Sequence, residues 1–211
     1  MSIAGGNKMD YKFKYKNFAE ALYEALSNDA FYITMEKSVN NGSSKEAMLR
    51  YMDYSMLEAE KYGDLIIPEH HEHGASIWAK PLEKELDVVK SSEKKHFLKY
   101  GMGDASLRTY NSIVSFMAEK AAPLIGKDFW YLSIIGILPE FQGQGLGPDL
   151  VKEVLEKTDV LGVPTYLETF TTRNISFYNR IGYQVAGSFH EPTADATYWL
   201  MIRDADQNIK G

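Results

Sequence analysis

Cysteine is absent from this sequence of 211 residues. Disulfide bonds, thiolate metal sites and a cysteine nucleophile are therefore excluded. Long apolar runs are also missing: no stretch approaches the roughly 18 residues that a membrane-spanning helix needs. Residues 1–15 hold no apolar stretch of the kind found in secretory signals. We expect a cytoplasmic protein with no membrane partner.

The chain also lacks an excess of basic charge. It carries 23 Lys and Arg residues against 29 Asp and Glu residues, so its formal net charge is -6. This balance disfavours a nucleic-acid partner. The length predicts a single domain, which we place at residues 9–204, with a flexible leader over residues 1–8 and a tail over residues 205–211.

Apolar residues recur at spacings that predict a mixed α/β fold. A capping-box pattern at Ser43–Glu46 begins a long helix over residues 44–62. Residues 82–120 read as a helical insertion, which Gly101 and Gly103 divide in two. The segment 31–35 suits either a strand or a helix extension. The other expected elements are helices over residues 18–26 and 174–181, a hairpin of strands over residues 64–67 and 74–78, and strands over residues 130–138, 165–169, 183–190 and 197–202.

Three glycines and a proline crowd the connection between the strand over residues 130–138 and the next helix. Glycine permits positive φ and a close approach of ligand to backbone, and successive amides at a helix start favour a phosphate group. A Walker loop would need Gly-Lys-Ser/Thr, and a Rossmann loop a glycine where Pro148 stands. Pro148 suits the first helical position. The alternative is a tight connection that holds no ligand.

Two segments of this region resemble the GNAT superfamily of acetyl-CoA-dependent N-acetyltransferases. The run Gln142-Gly143-Gln144-Gly145-Leu146-Gly147 matches the signature Gln/Arg-x-x-Gly-x-Gly/Ala. The segment 173–183 (RNISFYNRIGY) is similar to the superfamily's Asn…Phe-Tyr…Gly-Phe segment. Residues 74–81 (GASIWAKP), the helical insertion and residues 163–169 (VPTYLET) are similar to the puromycin N-acetyltransferase-like group. Outside the C-terminal part of the chain the resemblance is architectural.

The resemblance implies a central, mostly antiparallel twisted sheet that is splayed at the acetyl-CoA site and flanked by helices. It implies transfer of an acetyl group from acetyl-CoA to a primary amine, by direct attack through a tetrahedral intermediate and without a metal. The expected acceptor is a small molecule such as an amino-nucleoside; a protein N-terminus or lysine is the alternative. A non-catalytic acyl-CoA-binding protein and an enzyme with a larger acyl donor are the rival readings. Monomer and homodimer are both compatible with the sequence.

The resemblance also implies roles for individual residues. The amide of Ile137 would bind the acetyl carbonyl, Asn174 would hydrogen-bond the pantetheine arm, and Tyr178 would protonate the departing sulfur. The main-chain amides of residues 142–147 would hold the pyrophosphate. The expected acetyl-CoA contacts are Ile137, Leu138, Gln142, Gly143, Gln144, Gly145, Leu146, Gly147, Pro148, Asn174 and Tyr178.

Each catalytic role has a structural alternative. Tyr178 is one of 14 tyrosines, and most tyrosines pack with the hydroxyl at the surface. Asn174 is a favourable helix N-cap type. Glu168 lies in an otherwise apolar strand beside the expected cleft, where burial would raise its pKa towards the range of a general base. An outward-facing Glu168, or a water chain in place of a dedicated base, is the alternative.

Two further groups of residues invite a functional interpretation. The run 69–73 (EHHEH) contains metal-ligating residue types, but metal sites need converging ligands, so we predict a solvated hairpin loop. The aromatic candidates for an acceptor pocket are Phe31, Tyr32, Tyr54 and Trp78, with core packing as the alternative for each. The helical insertion is a candidate to cover or extend that pocket.

Overall fold

The computed structural model describes residues 11–40 and 42–206. The predicted leader over residues 1–8 lies outside the described residues, and the predicted tail is described only at positions 205 and 206. The helices are α1 (Lys16–Ala25), α2 (Ala30–Ser38), α3 (Ser44–Tyr62), α4 (Lys84–Phe97), α5 (Asp104–Ala121), α6 (Asp149–Leu161) and α7 (Ile175–Arg180). The strands are β1 (Gly63–Ile66), β2 (Gly74–Ala79), β3 (Trp130–Ile137), β4 (Thr165–Thr169), β5 (Gln184–Glu191) and β6 (Ala196–Arg203).

Local capping explains several of these boundaries. The hydroxyl of Ser43 accepts the amide of Glu46 at 3.4 Å, so α3 begins where the capping pattern predicts. The ambiguous segment 31–35 is helical because Asp29 caps α2 through the amide of Phe31 at 3.0 Å. The insertion is two helices as predicted, joined by a π-helical turn at Leu98–Met102 and by Gly103, whose φ is 111°.

Within the described residues, six strands form one mixed sheet in the order β1-β2-β3-β4-β6-β5. Of the pairs described, β3–β4 alone is parallel, and α6 connects these two strands. The other four neighbouring pairs are antiparallel. The mostly antiparallel mixed sheet predicted from the sequence is therefore confirmed.

A β-bulge in β3 exchanges the two faces of this strand. Ile77 pairs with Ile134 and Trp78 with Leu132, so Ser133 has no partner on β2. Leu132 consequently packs with α6 on one side of the sheet, whereas Ile134 packs with α1 and α3 on the other. A bulge also bends its strand, and β3 separates from β4 at this point.

Candidate active site

The strands β3 and β4 part in the middle of the sheet. Their pairing runs from Trp130↔Thr165 to Leu132↔Leu167 and ends there, although β3 continues to Ile137 and β4 to Thr169. The end of the pairing coincides with the bulge at Ser133. The result is a gap in the sheet whose edges carry backbone groups with no cross-strand partner.

The amide of Ile137 faces this gap. The amide of Leu138 donates to the carbonyl of His73 at 2.8 Å, which makes the Gly74↔Ile137 pair a non-hydrogen-bonded antiparallel pair. In such a pair the amide and carbonyl of Ile137 point away from β2, towards β4. The predicted role of Ile137 is therefore compatible with its geometry, whereas the amide of Leu138 is already engaged.

The connection after β3 is held by its own glutamines. A 3₁₀ turn, Pro139–Phe141, follows the strand. The side-chain amide of Gln142 donates to the carbonyl of Ile137 at 2.8 Å, and that of Gln144 donates to the carbonyl of Glu140 at 2.8 Å. The main-chain amide of Gln142 donates to the carbonyl of Pro139 at 3.2 Å. The side chain of Gln142 thus holds the loop in place, and its main-chain amide is already bonded within the loop. The prediction that this main-chain amide binds the ligand is therefore wrong.

Five consecutive amides beyond Gln142 are free. Within residues 11–40 and 42–206, the amides of residues 143–147 donate to no protein acceptor. Gly143 and Gly145 have φ of 76° and 80°, and no atom lies within 4 Å of a Cβ built on either one. Alternating positive φ turns successive N–H groups to one side of the loop. The glycine run forms an exposed nest of donors, as an anion site requires.

The start of α6 supports this nest. Pro148, which was predicted as the first helical residue, is instead the N-cap, with helical φ and ψ of -56° and -36°, and no side chain among the described residues caps the helix. Asp149 is the first fully helical residue, and this shift of one position is within the ordinary variation of helix ends. Leu150, Val151, Val154 and Leu155 are buried, which anchors the helix beneath the loop.

Gly147 has a different function from the other two glycines. A Cβ built on it would lie 2.8 Å from the ring of Phe177. The glycine therefore allows the loop to lie directly on α7, which brings the loop next to Tyr178 and to the turn that carries Asn174.

Asn174 and Tyr178 lie on the segment that follows β4, and both line the cavity described below. Asn174 occupies the N-cap position of α7, as the structural alternative predicted, but its side chain makes no capping hydrogen bond among the described residues. Tyr178 is 5% exposed. Burial, followed by the charge of Asp29, raises the pKa of the Tyr178 hydroxyl, which keeps this group protonated at neutral pH.

A cavity of about 740 Å³ is lined by residues of both β3 and β4 where the two strands part, and the nest is not part of its wall. Tyr178, Asn174 and Glu168 line it together with Phe31 and Tyr32, two of the predicted pocket aromatics. The lining also includes residues of both insertion helices α4 and α5, so the insertion forms part of the wall of this cavity.

Two predicted pocket aromatics have structural positions instead. Tyr54 stacks on Phe97 with ring centroids 4.2 Å apart. Trp78 is 1% exposed in the core beneath α6, and its indole N–H donates to Ser76 at 3.0 Å. Neither residue is part of the cavity wall.

Glu168 enters the cavity from β4. Its Oε2 accepts the hydroxyl of Tyr131 at 3.1 Å, and its Oε1 is buried with no partner among the described residues. Burial raises the pKa of the Glu168 carboxyl to about 7, against the lowering effect of the Tyr131 hydrogen bond. The outward-facing alternative is therefore wrong, and Glu168 has the acid–base character that a general base needs at neutral pH.

Sequence reasoning missed the other charged residues of the cavity wall, which are Asp29, Glu58, Asp87, Lys90, Lys94 and Lys95. The helix-capping position of Asp29 was a visible signal, since the residue precedes the apolar run of α2. Glu58 and Lys94 stand in charged helical stretches, where nothing local distinguishes them from solvent-facing residues. Their burial depends on packing between α3 and α4.

The histidine-rich segment forms part of the β1–β2 connection. In the described ranges, 11–40 and 42–206, no group of three or more side chains is arranged to hold a metal ion. His70, His71 and Glu72 are exposed. Among the helices that the structure describes, none has the length and apolar content to cross a membrane.

Comparison with known proteins shows which family this site is similar to. Residues 108–185 match the model of the acetyltransferase (GNAT) domain. An uncharacterized N-acetyltransferase of Schizosaccharomyces pombe is 23% identical over 205 residues, 93% of this chain and 82% of the relative.

Solved structures share the fold. Arylalkylamine N-acetyltransferase 2 of Aedes aegypti superposes with a TM-score of 0.58 at 12% identity, over 92% of this chain and 98% of that chain. A protein of Corynebacterium glutamicum named histone acetyltransferase HPA2 and related acetyltransferase superposes with a TM-score of 0.56 at 19% identity, over 90% of this chain and 91% of that chain. The match to the acetyltransferase (GNAT) domain thus covers the segment that holds the glycine nest, Glu168 and Tyr178, and the solved structures share the fold around it.

Proposed function

We propose that the protein transfers an acetyl group from acetyl-CoA to the primary amine of a small molecule. The observation that carries this proposal is the gap between β3 and β4: the loop with the free amides of residues 143–147 follows β3, and the cavity lined by Glu168 and Tyr178 includes residues of both strands. A thioester bound along the loop and an amine in the cavity would meet in the gap.

The loop has the donors that the pyrophosphate of acetyl-CoA would need. Five free amides and the positive end of α6 favour a doubly charged anion. The side chain of Asn174, which caps nothing, is free to hydrogen-bond the amide groups of the pantetheine arm. The amide of Ile137 would donate to the acetyl carbonyl and stabilise the negative charge that develops there.

Glu168 and Tyr178 divide the proton transfers between them. An aliphatic amine with a pKa of about 10 arrives as an ammonium ion and must lose a proton before it attacks. Glu168, with a pKa of about 7, is partly deprotonated at neutral pH and would accept this proton. Tyr178 remains protonated and would donate to the sulfur as it leaves.

The shape of the cavity favours a small acceptor over a protein chain. Its volume of about 740 Å³ is in the range of small-molecule sites, and α4 and α5 both contribute to its wall. The Aedes aegypti neighbour is named for small amines of the arylalkylamine class. Membership of the puromycin N-acetyltransferase-like group, a cytoplasmic location and the choice between monomer and homodimer stay predictions.

Amine-dependent thiol release tests the proposal directly. Because the chain has no cysteine, a thiol reagent added to protein and acetyl-CoA detects only the CoA that is released. The panel includes arylalkylamines, alkylamines, aminonucleosides and short peptides, with calorimetric CoA binding measured on the same sample. Release with small amines is expected. CoA binding without release for any amine would support the non-catalytic reading, and release with peptides alone would contradict the small-molecule acceptor.

A further inference from the structure

The carboxylate of Glu168 lies beside a pair of tyrosine rings. Tyr131 of β3 and Tyr166 of β4 are opposite each other in the part of the sheet where the two strands still pair. Glu168 is two residues beyond Tyr166, so these two side chains of β4 are on the same face of the sheet. All three residues contribute to the wall of the cavity. The tyrosine pair is thus next to Glu168 at the point where the gap begins.

The two tyrosines differ in what their hydroxyls bond. The hydroxyl of Tyr131 donates to Oε2 of Glu168 at 3.1 Å. Within residues 11–40 and 42–206, the hydroxyl of Tyr166 makes no hydrogen bond. Its ring stacks on the ring of Tyr131 instead, with centroids 4.6 Å apart and planes inclined by 18°. The stack therefore restricts the Tyr131 ring, and with it the direction from which the donor reaches the carboxylate.

The bond from Tyr131 favours the ionised form of Glu168. Burial, followed by the charge of Glu168, raises the pKa of the Tyr131 hydroxyl, so this group keeps its proton near neutral pH and remains a donor. A hydrogen bond donated to a carboxylate lowers the pKa of that carboxyl. Among the described residues, burial and this bond are the two causes that act on the pKa of Glu168, and they act in opposite directions. Tyr131 thus offsets part of the effect of burial.

Other titratable groups surround this pair without bonding Glu168. Tyr32 of α2 adds to the raised pKa of Tyr131, and the charge of Glu168 adds to the raised pKa of Tyr198 on β6. Among the described residues, the hydroxyl of Tyr198 is buried without a hydrogen-bond partner. The remaining charged residues of the cavity wall are Asp29, Glu58, Asp87, Lys90, Lys94 and Lys95. In the part of the chain that the structure describes, Tyr131 is therefore the side chain that controls this carboxylate.

We propose that Tyr131 is a positioning residue for acetyl transfer, whose hydroxyl keeps the Glu168 carboxylate ionised and in place to accept the proton of the acceptor amine. This inference rests on the proposed function and adds to it a residue that acts through Glu168. The proton of the amine moves to the carboxylate of Glu168, and the hydroxyl of Tyr131 keeps its own proton throughout.

The variant Tyr131→Phe tests this role, because it removes the donor and keeps the ring on Tyr166. The rise of kcat/KM with pH should move to higher pH by about one unit, since the ionised carboxylate loses a hydrogen bond. Below the wild-type midpoint kcat/KM should fall by about tenfold, and on the alkaline plateau it should approach the wild-type value. A loss by the same factor at every pH would indicate a merely structural role and overturn the inference.

Tyr166→Phe is the matched control. It removes a hydroxyl from the same pair of stacked rings, but one that bonds no described residue. The midpoint of the pH profile should therefore be the same in this variant as in the wild type. An equal shift in both variants would show that the Tyr131–Glu168 bond is not the cause, and the inference would fall.

A double variant tests whether Tyr131 acts through Glu168. Once Glu168→Gln has removed the carboxylate, the Tyr131 hydroxyl has no base to position. The variant Tyr131→Phe/Glu168→Gln should therefore have the same kcat/KM as Glu168→Gln alone. A further fall in the double variant would contradict the proposed role. Calorimetric CoA binding on each variant, with an unchanged dissociation constant, shows that the fold is intact.

Carbon NMR measures the ionisation of Glu168 without turnover. The protein is labelled at the side-chain carboxyl carbons of glutamate, and the signal of Glu168 is the one that Glu168→Gln lacks. In the ligand-free protein the titration midpoint of this signal should move to higher pH in Tyr131→Phe and stay in place in Tyr166→Phe. An unmoved midpoint in Tyr131→Phe would overturn the inference, whatever the activity.

The same titration separates failure of this inference from failure of the proposed function. A shifted signal in Tyr131→Phe, with no thiol release from the wild type for any amine, would refute acetyl transfer and retain Tyr131 as the group that controls Glu168. A shifted signal combined with an unshifted activity profile would exclude Tyr131 from the reaction and overturn the inference.

Discussion

At the scale of single residues, burial raises the pKa of both Glu168 and Tyr178, with different consequences for their function. It raises the pKa of the Glu168 carboxyl to about 7, where the group exchanges protons near neutral pH. It raises the pKa of the Tyr178 hydroxyl away from neutrality, where the group keeps its proton. One physical cause, desolvation of the charged form, thus produces a candidate base and a candidate acid around the same cavity.

The pH dependence of activity should report Glu168. The carboxylate accepts a proton only when ionised, so kcat/KM should rise as pH increases through about 7 and level off above it. Glu168→Gln should lower kcat/KM by roughly a hundredfold and abolish that rise. Initial rates between acid and alkaline pH measure both effects. An unchanged profile in the variant would assign the base to a water chain.

Tyr178→Phe should separate turnover from binding. The variant keeps the ring that packs against Tyr183 but loses the hydroxyl, so kcat should fall by roughly 10²-fold while the CoA dissociation constant stays the same. Thiol release and calorimetry on one preparation provide the two values. Another tyrosine offers the control: Tyr100→Phe changes an exposed hydroxyl on the insertion and should affect neither quantity. Unaltered turnover in Tyr178→Phe would exclude it as the proton donor.

At the scale of elements, the bulge and the glycine loop determine the site jointly. The bulge at Ser133 bends β3 away from β4, and the loop after β3 folds onto α7 through Gly147 and Phe177. The side chain of Gln142 binds the carbonyl of Ile137, which ties the loop to the end of the strand. The gap and the nest are therefore parts of one local arrangement.

The left-handed conformation of Gly145 should be needed for CoA binding. Its φ of 80° strains any residue with a Cβ, by about 1–2 kcal/mol, so Gly145→Ala should re-orient the nest amides and weaken CoA binding by about tenfold. Gly42→Ala is the matched control, because Gly42 has φ of 86° and equally open surroundings far along the chain. Calorimetry with CoA and with pantetheine, which has no pyrophosphate, completes the design. Pantetheine binding should stay constant, and loss of both ligands alike would indicate a general distortion.

At the scale of the whole molecule, Arg203 joins three parts of the C-terminal half. Its guanidinium donates to both oxygens of Asp159 on α6 at 2.6 Å and 2.7 Å, and to the carbonyl of Ile181 after α7 at 3.1 Å. Arg203 itself ends β6. These bonds connect α6 to β6 and to the end of α7. They therefore fix the position of α6, and of the loop before it, relative to α7.

Arg203→Met should destabilise the protein by about 3–5 kcal/mol at neutral pH, because Asp159 would remain buried without its partner. Burial alone would raise the pKa of Asp159, but the hydrogen bonds from Arg203 lower it. The stability from this pair is therefore present above the ordinary Asp pKa of about 3.9 and is lost as pH falls through the lowered value. Urea unfolding at several pH values should show the difference between wild type and variant shrinking in acid. The double variant Asp159→Leu/Arg203→Met should recover most of the loss, and failure to do so would show that the pair is not the cause.

The sequence predicted elements whose signals are local. The bounds of α3 and β4 agree with the prediction because a capping serine and short β-branched runs act over a few residues. The glycines of the nest were visible for the same reason: positive φ is a property of the residue itself. The place of Glu168 in an apolar strand indicated its burial. The family resemblance added the roles of Tyr178 and Asn174, which the cavity wall now brings together.

Other features needed the tertiary structure. The amide of Leu138 is engaged by His73 across the sheet, and Glu58 meets Lys94 from a separate helix, so no short segment contains either contact. By itself the sequence determined the order of the elements, the backbone freedom of the loop and the chemistry of its side chains, because these depend on neighbours along the chain. Only the tertiary structure decided which backbone amides remain free and which carboxylates face the cavity, because hydrogen-bond satisfaction and burial depend on groups that folding brings together from distant positions.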